Sequence, residues 1–225
     1  MPIYNAILRK IDAAETKRYA GLQKAFDFDP ARIENACEDA LLLSNPKGIW
    51  TLYDYDCKTH TIQAEPPVKL QGESIAKHLA GCEKVILLAA TIGENIEQAI
   101  TNGFEQGSYT SAVLLDAAAT TAIEETANEM ERAIRPLVFS QGYDMRFRFS
   151  PGYGDFPIEQ QTEIMALSHA GEIGISLSSA LMLVPRKSIT AIIGLYKKQH
   201  TVTPQGHERQ GCLSCPKTTC PARKI

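Results

Sequence analysis

RFSPGYGDFP, residues 148–157, joins a segment that alternates like a β-strand, YDMRFRF, to a segment with helical periodicity, IEQQTEIMALSHA. Pro151 and Gly152 favour a tight turn, in which Gly152 can adopt a positive φ angle and let a ligand approach the backbone. The planar guanidinium of Arg148 suits a carboxylate or phosphate, and Tyr153 offers a flat face and a hydroxyl. The stretch therefore predicts either a ligand-binding turn or a type II turn whose tyrosine fills the core and whose arginine is solvated.

Helices and strands are predicted on both sides of this turn, without a regular β–α–β order. Helices are predicted at 12–22, 30–43, 74–79, 94–100, 108–135 and 158–170. Strands are predicted at 49–56, 84–91, 143–149, 175–184 and 188–196. Pro136 is expected to end the longest helix, and the last two strands are expected to pair as a hairpin around Pro185. The pattern predicts a mixed α+β fold with a mainly antiparallel, twisted sheet flanked by helices.

The composition excludes several classes of protein. A formal net charge of -3 argues against a nucleic-acid binder, which normally carries a basic surplus. The longest apolar run, VILLAA, is too short to cross a membrane. MPIYNAILRK at the N-terminus lacks the apolar segment of a signal peptide. The uneven layout of the six cysteines does not resemble a secreted disulfide scaffold, so a reducing cytoplasm is the expected location.

The pattern R-x-S-P-G-Y-x-x-x-P, the helix after it and the segment LSSALMLVPRKSITAIIGLY (177–196) resemble the activation domain of cobalamin-dependent methionine synthase. ETKRYAGL (15–22) and a cysteine-bearing tail resemble stand-alone members of that family, in which the domain is a separate polypeptide. The resemblance is specific over 148–196, whereas the first hundred residues match in layout only. It implies an activation domain-like fold over residues 1–205 and binding of S-adenosylmethionine.

The same resemblance implies roles for residues in the turn. Arg148 is expected to hold the methionyl carboxylate, and Ser150 to contact the ligand mainly through its backbone. Gly152 is expected to provide clearance. Tyr153 is expected near the adenosine or the reacting methyl group, which makes it the candidate catalytic residue.

An acidic residue on the longest helix is a candidate partner for the sulfonium or ammonium group of the ligand. Asp116, Thr120 and Glu124 follow one edge of the predicted helix at four-residue steps. Glu124 is preferred over Asp116, because family members carry a glutamate in this helix. The alternative is a solvated helix flank that carries ordinary surface acids.

The resemblance also implies partners. The chain contains no D-x-H-x-x-G cobalamin-ligand motif, so the cobalamin is expected to arrive on a methionine synthase subunit or on another corrinoid protein. An electron-donor protein, flavodoxin or ferredoxin, is expected as well. The chain would then be an activation subunit of a cobalamin-dependent methyltransferase, supporting the reductive methylation of cob(II)alamin on a methionine synthase that lacks its own activation domain.

The segment 206–225 is expected to form a separate cysteine-rich tail with the spacing C-x2-C-x4-C. Its candidate metal ligands are Cys212, Cys215, Cys220 and His207. Three thiolates and an imidazole suit a zinc ion, and three cysteines with one other ligand suit an iron–sulfur cluster, although reduced thiols without a metal are the simpler alternative. The tail also motivates a second functional hypothesis, a metal- or cluster-binding adaptor that does not use S-adenosylmethionine.

Overall fold

The computed structural model describes residues 3–197, so the predicted boundary at residue 205 and the candidate metal ligands of the tail lie outside the described residues. The helices are α1 (Ala13–Tyr19), α2 (Pro30–Leu43), α3 (Glu73–His78), α4 (Asn95–Glu105), α5 (Tyr109–Ser140) and α6 (Gln161–Ser168). The strands are β1 (Tyr4–Asn5), β2 (Lys47–Asp56), β3 (Thr61–Ile62), β4 (Val68–Lys69), β5 (Lys84–Thr91), β6 (Tyr143–Met145), β7 (Ser176–Leu177), β8 (Leu183–Val184) and β9 (Ser188–Lys197). Short 3₁₀ turns at Ile158–Gln160 and Ala170–Ile173 flank α6.

Seven strands form one antiparallel sheet, in the order β4-β3-β2-β5-β9-β6, with β1 paired to the start of β2. Strand β5 lies at its centre and pairs along its whole length with β2 and β9. The prediction of a mixed α+β fold with a mainly antiparallel sheet flanked by helices is therefore confirmed.

Helices cover both faces of the sheet, and the alternation of β5 assigns its side chains to the two cores. Ile86 and Leu88 pack with α1, α2, α4 and α5 on one face. Val85 and Leu87 pack on the other face, in a core that also receives side chains from α3 and α6. Because both faces of β5 are buried, its sequence is a continuous apolar run rather than an alternating one.

Capping residues set the starts of two helices. The carboxylate of Asp29 accepts a hydrogen bond from the backbone N–H of Ala31 at 3.0 Å, and Pro30 occupies the first helical position of α2. Asp12 caps α1 in the same way, at 2.8 Å from the N–H of Ala14. Local chemistry is sufficient to position both helix starts.

The predicted end of the longest helix is wrong, because α5 continues through Pro136 to Ser140. A proline inside a helix removes one hydrogen bond and costs about 3 kcal/mol. Ile134 and Val138, on either side of Pro136, are 1% and 3% exposed and pack into the core under α5. Burial of these side chains offsets the cost, so the helix continues.

The predicted hairpin around Pro185 is also wrong. Strand β9 pairs with β5 along one edge, and its other edge is taken by β6 at Leu195–Lys197, by Phe149 at Ile192 and by the hydroxyl of Ser150 at Thr190, so little of it is left for the segment before it. That segment folds on itself instead: β7 and β8 form a separate two-stranded sheet, closed by a hydrogen bond from the N–H of Ser178 to the carbonyl of Met182 at 2.9 Å. No helix within residues 3–197 is both long and apolar enough to cross a membrane.

Candidate ligand-binding site

The chain after β6 contains one residue more than the part of β9 that it faces, and this extra residue directs Arg148 toward α5. Met145 pairs with Leu195, whereas Phe149 forms a bridge with Ile192, so four residue steps on one strand oppose three on the other. Such a β-bulge reverses the faces toward which the following side chains point. Met145 packs on the α5 face and Phe149 on the opposite face, which leaves Arg148 directed at α5. The predicted regular strand is therefore corrected to a short strand, a bulge and a bridge.

Three side chains of α5 bind the guanidinium of Arg148. Its Nη1 donates to Asn128 Oδ1 at 3.0 Å and to Glu131, and its Nη2 donates to Glu124. The spacing of these residues, four and then three apart, places them on one face of the helix. The side chains of Arg148 and Glu131 are each 19% exposed, whereas that of Glu124 is 37% exposed, so Glu124 is the acid nearest to solvent.

Electrostatics keep Arg148 charged within this cluster. Burial acts to lower the pKa of Arg148, but the negative charges of Glu131 and Glu124 outweigh it, so the pKa is raised. Burial, and then the charge of Glu124, raise the pKa of Tyr19 at the end of α1. The segment ETKRYAGL thus lies beside the cluster, which holds two carboxylates for one guanidinium and carries an excess of negative charge.

The Pro-Gly turn has the expected backbone. The N–H of Tyr153 donates to the carbonyl of Ser150 at 3.1 Å, and Gly152 has a φ of +87°, the positive value that a type II turn requires at its third position. Tyr153 is 55% exposed, whereas Phe156 is 1% exposed and packs in the core. Phe156 fills the core and Arg148 is paired, so the alternative of a core tyrosine and a solvated arginine is wrong.

The turn is attached to its surroundings on both sides. The carboxylate of Asp155 accepts hydrogen bonds from the backbone N–H groups of Glu73 and Ser74, each at 2.8 Å, at the start of α3. These bonds, with the side chain of Ser74 contributing most, lower the pKa of Asp155 to about 2. On the other side, the hydroxyl of Ser150 donates to the carbonyl of Thr190 in β9 at 2.7 Å. The turn is therefore held between α3 and β9.

A cavity of about 250 Å³, open to solvent, lies between the turn, α5 and the chain leading into β9. It brings together four of the predicted site residues, Glu124, Arg148, Ser150 and Tyr153. Its walls also include apolar side chains: Ile158, Leu181, Met182, Leu183 and Ile189. An acidic edge, an exposed ring and an apolar wall in one concavity suit a ligand that has a cationic end and a flat end.

Two predicted site residues, Asp116 and Gly152, are not among those that line the cavity. Asp116 binds Lys187, at 2.8 Å from its Nζ, and Lys187 also donates to Thr120 at 2.9 Å. The edge of α5 that carries Asp116, Thr120 and Glu124 is therefore not a solvated flank, because it receives one cation from each of two other segments. Gly152 supports the turn, and a Cβ there would meet Ile158 at 3.5 Å, an ordinary contact.

Sequence reasoning missed further polar residues of the site: Asn128, Glu131, Gln161 and Arg186. The spacing of Asn128 and Glu131 from Glu124 along a helix rich in buried alanine could have identified the first two. Arg186 offers no such local signal, because the path of the chain after β8 brings it to the cavity. Within residues 3–197, no three His, Cys, Asp or Glu side chains lie close enough together to hold a metal ion.

Comparison with known proteins identifies the class of fold. No protein-family model matches the sequence, and no curated protein matches it closely enough to indicate a relationship. The structure is similar to a crystal structure of the MetH reactivation domain bound to AdoHcy, with a TM-score of 0.58 and 11% sequence identity. The match covers 90% of this chain and 81% of that chain. The chain therefore has the fold of the MetH reactivation domain, as the resemblance of residues 148–196 predicted.

Proposed function

We propose that this protein binds S-adenosylmethionine in the cavity beside the Pro-Gly turn and supports the reactivation of a cobalamin-dependent methionine synthase. One observation carries the proposal: four residues predicted for this ligand line one cavity, in a fold whose solved counterpart binds AdoHcy. The counterpart's ligand is the demethylated form of the proposed one, so the two share the adenosine and the amino-acid end.

The residues of the cavity fit the parts of this ligand. Glu124 belongs to a cluster with excess negative charge and faces the cavity, where it would attract the sulfonium or the ammonium group. Tyr153 and Ile158 offer a ring and an apolar surface against which an adenine can stack. Ser150 and Gly152 would contribute backbone contacts and clearance. Tyr153, which is exposed at the cavity, is the proposed contact to the methyl group.

Arg148 has a positioning role in this proposal. Both of its Nη atoms already carry protein acceptors, so a direct contact with the methionyl carboxylate would require Glu124 to turn toward the cation of the ligand. The contact between Arg148 and that carboxylate stays a prediction.

The cavity is small enough to leave part of the ligand exposed, which would allow transfer of its methyl group to a partner. Its volume of about 250 Å³ lies just below the range of about 300–1,000 Å³ that is typical of small-molecule sites. A ligand held here would extend past the mouth, where a second protein could reach it. Such exposure suits a methyl donor whose acceptor arrives on another polypeptide.

The proposed chemistry needs two partners. S-adenosylmethionine would supply an electrophilic methyl group on a sulfonium. One electron from a protein donor, flavodoxin or ferredoxin, together with that methyl cation, would convert cob(II)alamin on the partner to methylcobalamin and leave S-adenosylhomocysteine. The residues of this chain would orient the sulfonium ligand and keep its methyl group accessible.

Ligand binding tests the proposal directly. A saturating ligand stabilises the folded state by about 2.7 kcal/mol at a hundredfold excess over its dissociation constant, so S-adenosylmethionine should raise the melting temperature. Glu124→Gln should weaken S-adenosylmethionine by about tenfold. The matched control is Glu129→Gln, which alters an α5 acid of similar exposure that binds Arg132 instead of Arg148.

Comparison of S-adenosylmethionine with S-adenosylhomocysteine shows which cationic group of the ligand lies at Glu124. If Glu124 faces the sulfonium, Glu124→Gln should weaken S-adenosylmethionine more than S-adenosylhomocysteine, whose sulfur is neutral. If it faces the ammonium, both ligands should lose affinity equally. A wild-type protein that shows no shift with either ligand would contradict the proposed function.

A further inference from the structure

Two adjacent buried glutamines at the start of α6 differ in their hydrogen bonding. Gln160 is 5% exposed, and both ends of its amide are bound: Nε2 donates to the carbonyl of Lys69 at 2.9 Å, and Oε1 accepts from the N–H of Gln71 at 2.6 Å. Gln161 is 4% exposed, and its side-chain amide makes no hydrogen bond within residues 3–197. Gln160 therefore joins α6 to the segment around β4, whereas the amide of Gln161 has no such structural partner in the described chain.

The amide of Gln161 reaches the surface of the cavity. Gln161 is one of the residues that line it. Neither polar atom of its side chain is among the completely buried atoms without a partner in the described residues, so both Nε2 and Oε1 keep some accessible surface. Because almost all of the residue is covered by protein, that surface lies at the cavity. A buried amide without hydrogen bonds destabilises the folded protein, and a ligand in the cavity can supply the missing partners.

The position of Gln161 favours contact with the base of the ligand rather than with its charged end. Ile158 begins the 3₁₀ turn before α6, and side chains three residues apart in such a turn lie one above the other. The amide of Gln161 therefore lies beside Ile158, which forms with Tyr153 the surface proposed for the adenine. Glu124, the proposed partner of the cationic groups, lies on α5 instead.

The chemistry of a carboxamide matches the edge of an adenine. Adenine presents an exocyclic amine, which donates, next to a ring nitrogen, which accepts. Oε1 of a glutamine can accept from the amine while Nε2 donates to the ring nitrogen, so one side chain makes two hydrogen bonds with the base. A carboxylate of the ligand would use only the donor and leave Oε1 unpaired.

We infer that Gln161 recognises the adenine of the ligand through two hydrogen bonds of its side-chain amide. This inference rests on the proposed function, and it makes Gln161 the residue that distinguishes an adenosyl ligand from one whose base lacks the exocyclic amine.

An analogue of S-adenosylhomocysteine in which hydrogen replaces the exocyclic amine isolates this contact, because it keeps the sugar, the amino-acid end and a flat base. In calorimetry, the wild-type protein should bind the analogue about tenfold more weakly than S-adenosylhomocysteine. Gln161→Met keeps the approximate size of the side chain and removes the amide. This variant should weaken S-adenosylhomocysteine by about tenfold or more and bind the two ligands equally.

The neighbouring glutamine provides the matched control. Gln160→Met leaves the N–H of Gln71 and the carbonyl of Lys69 without their partner, so it should lower the melting temperature of the ligand-free protein. It should keep the preference for S-adenosylhomocysteine over the analogue. Gln161→Met removes an amide that has no partner in the described chain, so the melting temperature of the ligand-free protein should stay the same or rise.

The outcomes separate this inference from the proposed function. An undiminished preference for S-adenosylhomocysteine in Gln161→Met would overturn the role of Gln161 and leave the proposed function standing. The same holds if the wild-type protein binds the two ligands equally, or if Gln161→Met lowers the melting temperature of the ligand-free protein and leaves both affinities unchanged. A wild-type protein that binds neither ligand would overturn both.

Discussion

The centre of the sheet and the Arg148 cluster are both largely shielded from solvent, yet they are held together in different ways. Strand β5 buries seven of its eight residues among apolar neighbours on both faces. Arg148 is held by two carboxylates and one amide of α5, and it reaches them only through a bulge after β6. The first region depends on burial, which has no direction, and the second on specific partners.

This difference determines how each region responds to substitution. Apolar burial scales with area, so the core should tolerate changes that keep its volume. In the cluster, removal of one partner leaves the others charged and poorly solvated. The core should therefore govern stability alone, whereas the cluster should govern stability and ligand binding together.

The largest expected effect is in the core. Leu88 is 0% exposed and lies in the main apolar cluster. Leu88→Ala should lower the free energy of unfolding by about 3 kcal/mol, through lost burial and a cavity. Urea denaturation would measure this loss, and Leu88→Met should cost less than about 1.5 kcal/mol. A variant that kept its stability and lost ligand affinity would refute the proposed separation of roles.

The Arg148 cluster should show a smaller loss of stability and a clear loss of affinity. Arg148→Ala leaves Glu124 and Glu131 without their cation, and should cost about 2 kcal/mol of unfolding free energy, less than the 3–5 kcal/mol of a fully buried pair. The reduction reflects Glu124, which is 37% exposed. Calorimetry should show S-adenosylmethionine bound at least about tenfold more weakly, whether Arg148 contacts it or only holds Glu124.

A double variant sharpens this prediction. Arg148→Met combined with Glu131→Gln removes a cation and an acid together, so it should recover part of the lost stability without restoring affinity. An unchanged dissociation constant in Arg148→Ala would exclude the cluster from ligand binding.

The smallest expected effect concerns Asp155, which joins the turn to α3. Its pKa is about 2 in the folded protein, below the value of about 3.9 in an unfolded chain. The carboxylate therefore contributes stability above about pH 4, and this contribution is lost as the pH falls through about 2. Asp155→Asn should lower the melting temperature at pH 6, and its difference from the wild type should shrink between pH 4 and pH 2.

Melting curves followed by circular dichroism would measure the effect of Asp155→Asn. Asp39→Asn, on the exposed side of α2, is the matched control and should follow the wild-type curve. A difference between Asp155→Asn and the wild type that stays constant down to pH 2 would show that the carboxylate charge does not hold the turn.

Sequence patterns predicted the features that depend on neighbouring residues. Asp29 and Pro30 set the start of α2, and the apolar run from Lys84 to Thr91 forms a strand over the same residues. The positive φ of Gly152 follows from its place after a proline in a tight turn. Each of these signals acts within a few positions of the residue it affects, so no knowledge of the fold is needed.

The errors in prediction arose where distant segments compete. Pro136 favours the end of a helix, but core packing of Ile134 and Val138 continues it. The segment before β9 has the composition of a hairpin partner, but β5 occupies one edge of β9, and β6 with the residues that follow it up to Ser150 takes most of the other. The outcome in each case depends on which contacts bury more surface or complete more backbone hydrogen bonds in the whole fold.

The features of the candidate site fall into the same two groups, those set by neighbouring residues and those set by distant segments. Residues 148–153 by themselves show the chemical groups at the turn and the resemblance to the activation domain. Three other features of the site depend on the folded chain. Arg148 faces the acids of α5, Asp116 binds Lys187 instead of lining the cavity, and Arg186 is one of the residues that line it. The local sequence determines the turn, because the proline fixes its own φ angle and the glycine can adopt the positive φ that the turn requires. The charge partners are set by sheet register and by one extra residue, which only long-range pairing specifies.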